Sequence, residues 1–505
     1  MSFAITYSRG QWGLEAPLVT VETHITGGLP RFTIVGLPET AVKESKDRVR
    51  SALINSGFHF PNQRITVNLA PADLPKLGGR FDLAIAIGIL LASKQLQSES
   101  STDYELVGEL ALSGQLHPIA GLIPFAIATR EAGKQLILPQ ASITEIPKIP
   151  DLQLFPASHL TEVVAHLAKQ QALMCYQPSL QQSIETYPDL NEVKGQIQGK
   201  RALTIAAAGG HSLLMVGPPG TGKTMLANRL PGLLPPLTLE QQLEVAAITS
   251  LTANYKITAL TSSPPFRAPH HSASTVAIVG GGNPITPGEI SYAHHGVLFL
   301  DELPEFNRCA LESLREPLES ATISIARAKA RYQFPANFLL ISTMNPCPCG
   351  QSGNPKGHCQ CSEAIKKRYQ GRISGPILDR IDLQLFLQPL SPELIFTSDK
   401  RKSESSQTIR EKVIAAREKQ LNRIGKLNSN LSEVDIKNSC ALSQEGKQLL
   451  EKAFTSYQFS ARALQRLLKV ARTIADLAAH ESIAPEHLAE ALSFRIHDWQ
   501  AIYQH

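Results

Sequence analysis

The feature that most narrows what this chain can become is the run Gly217-Pro218-Pro219-Gly220-Thr221-Gly222-Lys223-Thr224, which follows directly on the apolar segment 211–216. A strand that feeds a glycine-rich turn and then opens a helix is a phosphate trap. The glycines let backbone N–H groups converge on an anion, the lysine reaches the β- and γ-phosphates, the threonine hydroxyl ligates Mg²⁺, and the helix start presents its positive dipole end. All eight residues therefore form a candidate cradle for ATP or GTP, in an α/β fold.

The second half of such a site is expected at the carboxyl end of a neighbouring strand, where open α/β sheets gather their ligands. Residues 296–302, Gly-Val-Leu-Phe-Leu-Asp-Glu, read as a buried parallel strand ending in two carboxylates. Asp301 is placed to hold Mg²⁺ through water, and Glu302 to orient or deprotonate an attacking water. A third strand, 337–343, runs into Met344 and Asn345, and Asn345 is the candidate polar sensor of the γ-phosphate.

At 505 residues the chain exceeds what one hydrophobic core supports, and about three units are expected. A net charge of +5 announces no nucleic acid partner in bulk, so any such signal must be local. No apolar run reaches the roughly eighteen residues of a membrane span, and the first residues lack a basic segment followed by an apolar one. Seven cysteines, four of them within 347–361, suit a reducing, cytoplasmic compartment better than a disulfide framework.

Residues 1–170 alternate strand-like runs (64–69, 135–138) with helix-like stretches (39–56, 81–92). A polar linker is expected over 171–198, the nucleotide unit over 199–395, and a helical region over 396–505. There Ala463, Leu464, Leu467, Leu468 and Ala471 mark one apolar stripe.

Together these motifs resemble a known family. Residues 199–390 look like an AAA+ ATPase of the branch that holds magnesium chelatase and the MCM helicases, and the fuller resemblance, over nearly the whole chain, is to the ComM/YifB family. It is carried by residues 209–220, by Phe-Arg-Ala-Pro-His-His-Ser-Ala-Ser at 266–274, by 296–306, by Met-Asn-Pro-Cys-Pro-Cys-Gly at 344–350 and by 471–477. It implies a ring, a homo-hexamer, in which a neighbour's arginine completes each site. Arg380, in Ile-Leu-Asp-Arg-Ile-Asp-Leu, matches that finger, and Arg462 matches the sensor of the helical lid; the alternative for Arg380 is a surface ion pair with Asp379.

Between 321 and 373 stand eight basic residues, Arg327, Lys329, Arg331, Lys356, Lys366, Lys367, Arg368 and Arg372, against the single acid Glu363. Residues 322–325 and 331–334 read as two short strands joined by a basic turn, similar to the channel hairpin of MCM-type helicases. Arg327, Lys329 and Arg331 are its candidate DNA phosphate contacts, a solvated loop being the alternative. The insertion 266–295 is expected to add a second pore element, with His270, His271, His294 and His295 as turn and packing residues. Cys347, Cys349, Cys359 and Cys361 can close a tetrahedral structural Zn²⁺ site, or stand as free thiols in a loop.

Residues 68–82 and 107–133 resemble the proteolytic domain of Lon, which gives an α+β N-terminal domain. The resemblance puts Arg80 where the nucleophilic serine belongs and Ile123 where the lysine belongs, so the fold is expected without its chemistry. The leading expectation is an ATP-driven hexameric DNA motor for branch migration in homologous recombination and natural transformation, acting on single-stranded or branched DNA with recombination proteins as further partners. A chelatase-type motor remodelling a protein partner is the alternative, and an ATP-dependent protease is disfavoured by the missing dyad.

Overall fold

The computed structural model describes all residues except 1, 37–39, 75, 77, 177–181, 184–185, 252–258, 283–284, 328–329, 355–356, 391–403, 458–459 and 496–505. Contacts divide the chain into two units that interleave along the sequence. The first comprises Met1–Ser183, Leu239–Thr261 and Ala326–Phe334; the second comprises Ile184–Thr238, Ser262–Ile325 and Pro335–His505.

The first unit is built on a mixed seven-stranded sheet. In spatial order its strands are Arg31–Val35, Arg64–Ala70, Leu18–Thr26, Ser2–Arg9, Tyr104–Leu106, Gln135–Pro139 and Leu154–Ala157. Ser2–Arg9 and Leu18–Thr26 pair antiparallel, with Ser2 opposite Ile25 and Arg9 opposite Leu18. Val19, Val21, Thr23 and Ile25 alternate inward along the second of these, the period of two that a sheet with one covered face requires. The cover is helix Asp82–Ala92, Asp-Leu-Ala-Ile-Ala-Ile-Gly-Ile-Leu-Leu-Ala, apolar around its whole circumference and buried accordingly. Gly88 lets it approach the sheet, because a Cβ there would lie 2.5 Å from Thr23 Oγ1. Two ion pairs lie inside this unit, Arg9 to Glu105 at 2.6 Å and Arg48 to Asp82 at 2.8 Å.

A second core of this unit joins Leu122, Ile123 and Phe125 of helix Leu122–Glu131 to Leu243, Ala246 and Ala247 of helix Leu239–Ser250 and to Leu260. Within the stretch 199–395, the apolar face of helix Leu239–Ser250 thus has its partner in the first unit. Ala326–Phe334, most of the basic hairpin, also falls in this unit, where Tyr332 stacks on Trp12 at 5.2 Å between ring centres.

The second unit carries an all-parallel five-stranded sheet in the order Phe266–Arg267, Val297–Leu300, Leu339–Met344, Leu213–Val216, Leu383–Phe386. Val297–Leu300, Leu339–Met344 and Leu213–Val216 are buried throughout, as strands covered on both faces are. Helix Ile197–Gly209 contributes Ala202, Leu203, Ile205 and Ala206 to the core, joined by Val413 and Ala416 of helix Ser406–Ile424 and by Leu467, Val470, Ala471 and Ile474 of helix Ala461–Leu477. Helices Glu433–Ser439, Gln444–Tyr457 and Pro485–Ser493 complete the helical C-terminal region. Among the described residues no helix is long and apolar enough to cross a membrane.

Candidate active site

The phosphate loop leaves the central strand Leu213–Val216 and returns into a helix that begins at Lys223 and lasts only to Ala227. Gly220 and Gly222 hold φ of +78° and +87°, the left-handed region that glycine enters without steric cost. The Lys223 side chain is mostly buried, and its ammonium donates to the carbonyls of Gly217 at 2.6 Å and Pro218 at 2.9 Å and to Asn345 Oδ1 at 3.2 Å. Burial pulls this amine down to about 8, outweighing the attraction of Asp301 and Glu302.

Across the cleft, strand Val297–Leu300 delivers Asp301 and Glu302. Thr224 Oγ1 donates to Asp301 Oδ2 at 3.0 Å, and the other carboxylate oxygen accepts from Thr343 Oγ1. A hydroxyl and a carboxylate converging beside a phosphate cradle form the all-oxygen donor set that suits Mg²⁺, so the residues fit the ion. Glu302 adopts φ 55° and ψ 51°. A non-glycine residue held there costs about 1 kcal/mol or more, and such strain gathers at functional sites. The resulting cleft encloses about 410 Å³ between the phosphate loop, Asp301, Glu302 and Asn345, within the range of small-molecule pockets.

The sequence motifs at 217–224, 301–302 and 345 therefore meet in one place. Two further residues belong there that sequence reasoning missed. Thr343 orients Asp301; its signal was a polar Ser342-Thr343 pair at the end of an otherwise apolar strand. His271, read from sequence as a turn or packing residue, has its Nδ1 3.5 Å from Glu302 Oε2. His294 does serve packing: it is buried and its Nδ1 accepts from the Asn337 N–H at 3.0 Å.

Arg380 and Arg462 do not line the cleft of their own chain. Arg380 pairs with Glu319, not with Asp379, and donates to the Pro376 carbonyl at 2.8 Å. Arg462 is exposed in the first turn of Ala461–Leu477. One turn further on, Arg466 donates to Asp382 at 2.6 Å and to the Arg380 carbonyl at 2.8 Å. His211 adds 2.9 Å and 2.8 Å hydrogen bonds to Asp382 and to Thr473 of the same helix. Although its burial opposes ionisation, Asp382 is held well below the usual carboxylate range by His211 and Arg466.

The basic hairpin forms, as strands Thr322–Arg327 and Ala330–Pro335. Arg331 lies exposed on it; Lys329 and Lys356 fall outside the described residues, as does the side chain of Arg327. The sulfurs of Cys347, Cys349, Cys359 and Cys361 all lie within 4.8 Å of one another. The pairs 347–349, 347–359 and 349–359 are separated by 3.3, 3.7 and 3.7 Å. Four thiolates at the Zn–S distance of about 2.3 Å would stand about 3.8 Å apart, whereas a disulfide needs about 2.05 Å, so the set fits one tetrahedral Zn²⁺.

In the first unit, the position matched to the Lon serine holds Arg80, largely buried, whose Nη2 donates to Gln11 Oε1 at 2.6 Å and whose pKa burial lowers to about 10. The position matched to the lysine holds the buried Ile123. Gln11 also lies against Gly121, two residues before Ile123.

A phosphate loop, a strand-end Asp-Glu pair and an asparagine at the end of the neighbouring strand, on a parallel sheet with a helical C-terminal region, define an AAA+ P-loop ATPase of the magnesium-chelatase type. The family model "Magnesium chelatase, subunit ChlI" matches residues 189–395, "Subunit ChlI of Mg-chelatase" matches 21–142, and "Magnesium chelatase, subunit ChlI C-terminal" matches 403–495. The chain is 49% identical over 500 residues to competence protein ComM of Haemophilus influenzae, covering 98% of each protein. It is 50% identical over 499 residues to protein YifB of Salmonella typhimurium, covering 99% of this chain and 98% of the relative. The chain belongs to the ComM/YifB family of magnesium-chelatase-like AAA+ proteins. A 162-residue stretch is also 30% identical to the Lon protease of Rhizobium meliloti, covering 20% of that protein.

Proposed function

We propose that this protein is an ATP-driven motor that assembles as a homo-hexamer on single-stranded or branched DNA and promotes branch migration in homologous recombination and natural transformation. The carrying observation is a cleft that brings the phosphate loop, Asp301, Glu302 and Asn345 together in a chain 49% identical over 500 residues to a competence protein. Bound Mg²⁺-ATP supplies the phosphoanhydride that is cleaved. Lys223 and the loop N–H groups would hold its phosphates, Thr224 and Asp301 would hold the ion, Glu302 would take a proton from the attacking water, and Asn345 would position the γ-phosphate. Arg380 lies outside its own cleft, which supports its acting on the site of a neighbouring subunit, and Arg462 serves as the sensor of the helical lid; DNA is gripped by Arg327, Lys329 and Arg331. The four-cysteine loop is read as a structural Zn²⁺ site.

ATPase activity titrated with single-stranded, duplex and branched DNA tests the reading, with Glu302→Gln as the control that binds ATP without turning it over. Stimulation by DNA and displacement of a branched substrate are expected. The second reading, a chelatase-type motor acting on a protein partner, draws on the matches to magnesium-chelatase subunit models. Active ATPase indifferent to every form of DNA would favour it.

A further inference from the structure

The nucleotide cleft and the four-cysteine loop are consecutive in the chain and touch in space. Asn345, whose amide oxygen receives the Lys223 ammonium at 3.2 Å, stands two residues before the fully buried Cys347. Gly350, directly after Cys349, has φ +75°, and a Cβ there would come within 2.9 Å of Pro219 Cδ in the phosphate loop. At the far end Cys361 leads into helix Glu363–Gln370, capped by Ser362, and the buried Tyr369 of that helix is in hydrogen-bonding reach of the Asn345 backbone N–H. The segment from 345 to 369 thus begins and ends on the sensor residue.

Inside it, the backbone N–H groups of Ser352, Gln351 and Cys349 face the sulfurs of Cys347, Cys349 and Cys361 respectively. Such donors orient thiolates and absorb part of their charge when they bind a metal. A cluster of several irons would spread its ligands beyond the 3.3–3.7 Å seen between these sulfurs, so a single ion fits better. With all four positions taken by thiolate, no site is left for water, and the ion's role is structural.

From this juxtaposition we infer that the Zn²⁺ held by Cys347, Cys349, Cys359 and Cys361 is a brace for the nucleotide cleft, clamping the turn after Asn345 against Pro219 so that the sensor amide and the phosphate loop keep their mutual position. The inference rests on the reading of the cleft as an ATP site. Its test separates the two.

Full-length protein purified without chelators carries one zinc per chain, and Co²⁺ in its place gives the strong thiolate-to-cobalt absorption of a tetrahedral site. Stripping the metal with a mercurial reagent, followed by thiol reduction, weakens binding of a fluorescent ATP analogue roughly tenfold, and added Zn²⁺ restores it. Gly350→Ala keeps the metal but sets a methyl against Pro219, and it weakens the analogue as well; this variant carries the test if the stripped protein does not stay folded. Absence of zinc, or iron in its stead, overturns the metal assignment. Zinc whose removal leaves analogue affinity unchanged, in protein with native circular dichroism, overturns the brace. Protein that holds zinc but never binds the analogue overturns the brace together with the ATP reading beneath it, and leaves the metal site standing.

Discussion

The imidazole of His271 stands 3.5 Å from the carboxylate of Glu302, a contact between the Gly- and His-containing insertion and the residue assigned to activate water. Both side chains are partly exposed, so the contact steers more than it stabilises. His271→Ala is expected to lower kcat by about three- to tenfold, ~1 kcal/mol of barrier, with KM for ATP unchanged. His271→Asn should recover part of the loss. Steady-state ATPase of both variants checks this, and equal loss in the two would remove the positioning role.

Arg380 is expected to act on a neighbour. An Arg380→Ala protein should bind nucleotide yet hydrolyse it at least ~100-fold more slowly, given what arginine fingers contribute. Mixed with Lys223→Ala subunits it should regain activity, because some interfaces then combine an intact loop with an intact finger. Absence of rescue in rings shown to contain both variants would leave Arg380 as the partner of Glu319 and nothing more.

The buried Lys223 gives ATP binding a pH signature. Its amine falls to about 8 from the usual 10.5, and a bound triphosphate returns it toward the charged form. Above pH 8 binding must therefore take up a proton, and affinity should decline as pH rises from about 8 toward about 10.5. For the protein alone the sign is opposite. A lysine whose folded-state pKa is depressed costs stability while it is charged in both states, and that cost fades as pH climbs through the same window. Calorimetric titration of ATP in buffers of different ionisation enthalpy counts the proton; zero uptake at pH 9 would contradict the assignment.

For the hairpin, replacing Arg327, Lys329 and Arg331 together with alanine should leave basal ATPase intact. DNA stimulation and strand displacement should fall, and the slope of log affinity against log salt should flatten by up to about 0.7–0.9 per lost contact. Unchanged DNA affinity and slope in a folded, assembled triple mutant would remove the hairpin from DNA binding.

Local pattern carried much of this structure. The strand-like runs at 64–69 and 135–138 became strands Arg64–Ala70 and Gln135–Pro139, the first through the alternation of a sheet with one covered face and the second through a nearly unbroken apolar run, and the stretch 81–92, apolar on nearly every side, became helix Asp82–Ala92. The cleft was legible for the same reason: each of its parts is a short motif at a strand end, and a parallel sheet collects strand ends. Pairings between distant segments were not. Nothing near His271 in sequence points to Glu302, and nothing in the spacing of 239–250 says that its partner is a helix at 122–131, since both facts are set by topology. The lid arginine shows the same limit. Arg462 and Arg466 are one turn apart on one helix, and only the position of Asp382 and His211 shows that Arg466 is the one tied into the sheet.

The interleaving of the two units also governs the order in which the molecule can be completed during synthesis. Leu243, Ala246 and Leu260 form one wall of a core whose other wall is Leu122, Ile123 and Phe125, and residues as late as Phe334 still belong to the first unit. The phosphate loop therefore leaves the ribosome before that unit has all its parts. The apolar face of Leu122–Glu131 must wait, partly uncovered, for helix Leu239–Ser250, made roughly a hundred residues later. A fragment ending near residue 170 would keep the seven-stranded sheet but expose the apolar face of Leu122–Glu131, and it should aggregate where the full chain does not.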